Sequence, residues 1–455
     1  MVNRRKPAAK KKTVFDFPHI PCPPNYLPND TISRIRFINT TSFFVSSWDG
    51  TVRGFQIQTS PTPSLMPVCL MTCGSPVLDI LPIPNTTEIV CACLSGEVMV
   101  WSYANVQQPQ KMVMGKHAAP AFALGVIGSL GLILSCGYDN EVKTFTPQYQ
   151  PGPTCKVPFS VTAFAAKDCV AANDNTQKPR PFYAVCGYIT KVTSGIQQRM
   201  AVVDLSPSSL PLDSSKRAKQ VTLDATVLDD QSYPTGLEFG PKGQLFYVGY
   251  TNSRIVVARN PGINSPVFGA ASVKSKHSYR FVAYKPDLKA TDLKDMATVI
   301  SGGQVPQHIN LKYTDYNSVT GIVPVNDALR PGSKKKRRFL LTGSSVSLSA
   351  TRPLNQPNSM SYHICCWDTL NTEGCGTMAV YPHQMGLAPQ QCMVVSVDGA
   401  ACNVDDILGV TAMSSNDTCD MLVVALGYNT TESSQAAQGQ KCGFAVYHVS
   451  PELLD

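Results

Sequence analysis

Three kinds of side chain in this sequence could carry chemistry: cysteines and histidines that could ligate a metal or attack a substrate, and basic runs that could bind an anion. The chain has 16 cysteines, and the close pairs are Cys69/Cys73, Cys91/Cys93 and Cys365/Cys366. None has the two-residue gap of a zinc knuckle with a second pair at a suitable distance, so spacing does not predict a metal site. Cys91, Cys93, Cys136, Cys186 and Cys365 instead alternate with apolar residues, where cysteine packs as a small hydrophobe.

The seven histidines, at 19, 117, 277, 308, 363, 383 and 448, are scattered singly. There is no phosphate-binding glycine loop, no G-x-S-x-G elbow and no His-Glu-x-x-His helix, so nucleophile, base and stabiliser do not converge and no enzyme or cofactor is predicted. His117, in GKHAAP, is read as capping a structural unit through a hydrogen bond. The net charge of +8 comes from 39 basic and 31 acidic residues. Arg4, Arg5, Lys6, Lys10, Lys11 and Lys12 lie in one acid-free run, and Lys334, Lys335, Lys336, Arg337 and Arg338 in another. Without those eleven, 28 basic residues face 31 acidic ones. The body is therefore not a nucleic-acid-coating surface, and the runs suit nuclear import or a weak, salt-dependent RNA contact.

The elements that would hold these residues are strands. Charged residues make up 15% and apolar ones 43%, with 35 prolines and 31 glycines among short runs of Val, Ile, Thr and Tyr, which points away from an all-helical protein. The longest apolar segment, 119–136, is broken by glycines, so no membrane span is predicted. No secretory leader is evident, and the chain is expected to be soluble, intracellular and reduced.

A unit of about 40 residues recurs, the mark of a propeller of four-stranded blades. SRIRFINTTSFFVSSWDGTVRGFQI (33–57) reads as strand, turn, strand, Asp-Gly turn, strand. The same order returns at 77–103, with Ser95-Gly96 at the turn, and at 122–146, with Tyr138-Asp139-Asn140 there. Turn residues of this kind tolerate positive φ. Looser units follow at 160–205, 235–260, 318–369 and 406–450. Residues 1–20 are expected to be a basic, disordered arm, and 21–455 one all-β, seven-bladed WD-repeat propeller with long loop insertions, because a ring lets each blade bury both faces. Trp101 and Trp367, near third-strand ends, are assigned to blade packing.

These units resemble the WD-repeat family of the nuclear-pore mRNA export factor (Rae/Gle type) and its sister, the Bub-type spindle-checkpoint propeller. DTISRIRF (30–37) and FFVSSWDGTVRGFQIQ (43–58) are similar to the family's opening blade, GSPVLDI (74–80) to the start of its second and GKHAAP (115–120) to that of its third. Beyond residue 150 the pattern departs: Tyr138 stands for the third-blade Trp, Asn252-Ser253-Arg254-Ile255 for Glu-Gly-Arg-Val, and YRFVAYK (279–285) only echoes its strand. The resemblance implies a non-enzymatic, monomeric scaffold at the nuclear pore, binding the GLEBS peptide of a nucleoporin in mRNA export, or checkpoint kinases at kinetochores. By the same resemblance Trp48, Tyr138, Arg254 and Lys285 would contact the peptide's acidic segment. An adaptor for ubiquitination is a further option for such a ring.

Overall fold

A computed structural model describes residues 19–105, 109–170, 179–191, 195–206, 218–221, 233–240, 243, 245–251, 255–260, 279–281, 318–325, 339–345, 364–368, 396–397, 400–401, 407–418, 420–428 and 442–448. Among them the chain is all-β apart from two short 3-10 turns, Pro24–Tyr26 and Gly128–Leu130. No helix among them is long and apolar enough to cross a membrane.

The chain folds as a β-propeller. Its first blade is the antiparallel meander Ile32–Phe37, Ser42–Ser47, Thr51–Gln58 and Ser64–Thr72, and its second is Val77–Pro82, Glu88–Cys93, Glu97–Ser102 and Gln110–Lys116. The third comprises Ala121–Ile127, Leu132–Gly137, Glu141–Phe145 and Pro151–Lys156. The fourth (Ser160–Cys169, Arg180–Lys191, Gly195–Asp204, Ala218–Val221) and the fifth (Pro234–Phe239, Leu245–Tyr250, Ile255–Arg259, Tyr279–Phe281) repeat the order.

Alternation explains why these sheets stack. Successive residues of a strand point to opposite faces, so Phe43 and Val45 pack towards the last sheet while Phe44 packs towards the second blade. Cys91 and Cys93 likewise face the first blade, and Val90 and Ala92 the third. Each apolar cluster is thus shared by two neighbouring sheets, which is how a blade with two apolar faces escapes water.

The blade count differs from the expected seven. Five sheets stand as separate four-stranded blades, Ser396–Val397 and Ala400–Ala401 make a small two-stranded sheet, and the other described strands merge into one seven-stranded sheet. That sheet joins Ser318–Val325, Phe339–Ser345 and Ile364–Asp368 to Ile407–Ser415, Met421–Tyr428 and Cys442–His448. A single register pair, Ser345 with Gly409, makes the link. His19–Pro21 adds the outermost strand, pairing with Cys442–His448, so the expected arm-propeller boundary at residue 20 falls inside a strand that ties the two ends of the chain together.

The first strands of the units lie side by side in chain order, and Ile407–Ser415 lies against Ile32–Phe37. Each carries a one-residue register shift at its start, as at Ile32/Arg34, Val77/Asp79, Ala121/Ala123, Val161/Ala163 and Pro234/Gly236. A bulge of this kind re-aims one side chain, here at the end of the ring where the second strands finish.

Candidate binding face

In the first three blades the turn after the second strand is built by hydrogen bonds that leave one side chain facing outward. The Trp48 amide donates to the Thr31 carbonyl at 3.0 Å, and Tyr138 donates to Pro120 and Leu94 to Pro76, both at 2.9 Å. Two residues on, Gly50, Gly96 and Asn140 have φ of +80°, +84° and +62°, the left-handed conformation that Gly and Asn adopt at least cost. In the first and third blades an acid between them closes the turn. Asp49 accepts from the Asn29 and Thr51 amides (2.8 and 2.9 Å), and Asp139 from the Ala118 and Glu141 amides (2.9 and 3.2 Å).

With the backbone fixed, the first turn residue is free to point into solvent: Trp48 is 45% exposed and Tyr138 51%. Leu94 occupies the same position in the second blade and is also exposed. Register places Tyr188 there in the fourth blade, opposite Ser160, and its ring lies 5.7 Å from that of Tyr233, which leads into the fifth blade. Tyr138 stacks on Phe122, centroids 4.5 Å apart at 19°; Phe122 is the residue that the third-blade bulge turns outward. Burial pushes the Tyr138 hydroxyl up, with smaller contributions from Cys136 and Tyr233, so the phenol stays a hydrogen-bond donor at neutral pH.

Register puts these residues at the same end of their blades, where the first strand starts, so they form an aromatic and apolar arc over five blades. Trp48 and Tyr138, expected from sequence, share it. Arg254, Lys285 and both basic runs lie outside the described residues. Leu94, Phe122, Tyr188 and Tyr233 were not anticipated. Leu94 was within reach, since Leu94-Ser95-Gly96 aligns with Trp48-Asp49-Gly50, whereas Phe122 depends on a bulge that no local pattern announces.

Beneath the arc, His117 lies at the third-blade junction, buried. Its Nδ1 is 2.9 Å from Asp139 Oδ1 and its Nε2 is 2.8 Å from Ser135 Oγ. Burial lowers its pKa against the opposing pull of Asp139, so the ring is a neutral pin between two strands and a turn, the capping role read from GKHAAP. His117, Asp139 and Glu141 are the one group among the described residues with three ligand atoms within 4.8 Å. His117 spends both nitrogens on Asp139 and Ser135, and Glu141 pairs with Lys143 at 3.0 Å, so each member already has a partner.

The inner strands carry a charge cluster that sequence could not place. Arg34 of the first blade donates to Asp79 of the second at 3.0 Å and reaches Glu238 of the fifth at 3.8 Å, and Arg36 reaches Asp79 at 3.8 Å. Burial disfavours the Arg34 charge, but Asp79 and Glu238 outweigh it and raise its pKa. Two cations and two anions balance, and Asp79 also accepts the Leu124 amide at 2.8 Å, so the cluster ties inner strands together. Ten of the described cysteines form no disulfide and nine of these are buried, and Trp101 packs in the core between the first two blades, as expected. No family model matches the chain, and no curated protein does.

Proposed function

We propose that this chain is a seven-bladed, non-enzymatic WD-repeat scaffold that grips a peptide of a partner protein on the Trp48–Tyr138 face. The observation that carries the reading is that two aromatic side chains stand half-exposed at equivalent, hydrogen-bond-fixed turns. A rigid, solvent-facing Trp is a poor structural choice and a frequent interface anchor. The count of seven is supported by the composite sheet, whose two inner strands carry the same starting bulge as the other five, at Val319/Gly321 and Ile407/Gly409.

The resemblance of residues 30–58, 74–80 and 115–120 supports a GLEBS-bearing nucleoporin as the partner, with the protein acting as a monomer within a hetero-complex in mRNA export at the nuclear pore. In this reading Arg254 and Lys285 supply cations for acidic peptide side chains, since Arg holds a carboxylate bidentately. The runs at 4–12 and 334–338 serve nuclear import or touch RNA weakly.

Titration of a GLEBS peptide into the full chain tests it. Trp48→Ala is expected to weaken binding about tenfold, or roughly 1.4 kcal/mol, and Arg254→Glu by about 2 kcal/mol or more, because like charges then face each other. Unchanged affinity in both variants defeats the peptide face. Recovery of checkpoint kinases without nucleoporins in a pull-down defeats the export assignment and leaves the checkpoint one.

A further inference from the structure

The bulges give the inner strands a common scale. Counted from the bulged residue, Arg34 and Asp79 lie one step along their strands, and Arg36 and Glu238 lie three steps along. Arg34 of the first blade reaches Glu238 of the fifth at 3.8 Å, so these side chains meet across the axis of the ring and not only between adjacent blades. Arg34, Arg36 and Glu238 remain 30%, 28% and 28% exposed there, while Asp79 is closed off at 1%. Solvent therefore reaches the axis beside both arginines.

The four charges balance in number but not in contact. Asp79 Oδ1 accepts from Arg34 Nε at 3.0 Å and from the Ile80 amide at 2.8 Å, and Oδ2 accepts the Leu124 amide at 2.8 Å. Glu238 faces Arg34. Arg36 is left with one long approach among the described residues, Nη2 to Asp79 Oδ1 at 3.8 Å, which is beyond hydrogen-bond reach. Its Nε is enclosed without a partner, and an enclosed donor left unpaired is destabilising, more so on a charged group. Burial and the neighbouring Arg34 disfavour the Arg36 charge more than Asp79 and Glu238 favour it.

The rest of that level supplies one more donor. Leu81, Gly125, Ala165 and Val323 stand three steps from their bulges and bring no charge. Thr411 stands there on Ile407–Ser415, the strand that lies against Ile32–Phe37. A second bulge, between Val410 and Ala412, sets Thr411 off the ladder, and its Oγ1 is enclosed with no hydrogen-bond partner. An unpaired guanidinium nitrogen and an unpaired hydroxyl thus share one level on neighbouring inner strands. Both can donate, and what the level lacks is an acceptor.

We infer that this level of the axis is a binding site for a small oxyanion, phosphate or sulfate, held by the Arg36 guanidinium with the Thr411 hydroxyl as second donor. A guanidinium presents parallel N–H groups that match two oxygens of such an ion. The ion supplies the acceptor that Asp79 cannot, since both Asp79 oxygens are taken, and it gives Arg36 a countercharge of its own. The nearness of Glu238 opposes it and holds the affinity to the order of a millimolar.

Inorganic phosphate titrated into the full chain, with ionic strength held constant by chloride, tests this through the phosphorus NMR linewidth. The expected result is saturable broadening that sulfate reverses. Arg36→Gln should weaken binding about tenfold or more, and Thr411→Val about threefold. Glu238→Gln should tighten it about threefold, because a like charge is removed. Changing the Lys and Arg of 4–12 and 334–338 to Gln should leave it unchanged. Broadening that never saturates, binding that is lost with those basic runs, or full affinity in Arg36→Gln or Thr411→Val would each overturn the inference. Where Arg36→Gln fails to fold, Glu238→Gln decides: affinity equal to or weaker than that of the unaltered chain would put the phosphate away from the axis.

Discussion

The second- and third-blade junctions share one backbone and use two chemistries. Both have the same link amide bonded to the turn of the preceding blade, and in both that turn ends in a left-handed glycine, Gly50 or Gly96. In the third, a neutral His117 spans Ser135 and Asp139; in the second, Cys73 sits among Cys91, Cys93 and Trp101. The difference lies in volume as much as polarity. An imidazole fits only because Gly137 leaves room, whereas the shorter Cys73 permits a β-carbon at Cys93. Each junction is internally consistent, and the residues have to change together.

The sharpest way to break this comparison is to give the third blade half of the second. A β-carbon on Gly137 would lie 2.5 Å from His117 Nδ1 and 2.6 Å from Asp139 Oδ1, so Gly137→Cys alone should cost about 3 kcal/mol in urea unfolding, the upper range for overpacking. Adding His117→Cys should restore more than half of that loss. A double variant no more stable than the single one would mean that the two junctions are not interchangeable packings.

Much of this arrangement was readable beforehand. The Asp-Gly and Asp-Asn turns, the strand order of the first three blades and the capping role of His117 all follow from local signals: turn chemistry at Gly50 and Asn140, and a histidine placed just before an inner strand. The cysteines were legible as buried but not as neighbours, because Cys73 and Cys91 come together through pairing between blades that no spacing encodes. For the same reason the pairing of Ser345 with Gly409 that merges two units, the Arg34–Glu238 bridge and the Phe122–Tyr138 stack were not foreseeable. The first two join residues of different units, and the stack depends on the bulge at Phe122, so none is written in a local pattern.

Removing the centre of each junction gives a smaller, graded contrast. His117→Ala should cost about 2 kcal/mol, because it strands the buried Ser135 hydroxyl and removes a partner of Asp139. Cys73→Ala should cost about 1 kcal/mol, since it deletes one small, weakly bonding group. Equal losses in parallel denaturant titrations would show that the thiols do more than pack.

The smallest expected effect is one of pH and belongs to the third-blade junction. Burial holds His117 below its ordinary pKa, so the folded ring stays neutral while the unfolded one gains a proton below about pH 6.5. The unfolded state then binds more protons, and stability falls with pH there, by at most about 0.7 kcal/mol between pH 7 and 6 for one such group. His117→Gln should therefore flatten the stability curve only below about pH 7, which denaturant titrations at about pH 6, 7 and 8 read. A His117→Gln curve parallel to wild type between pH 7 and 6 would mean that the ring takes up its proton in the fold, and the third junction would then be held by an ion pair with Asp139 and not by a neutral pin.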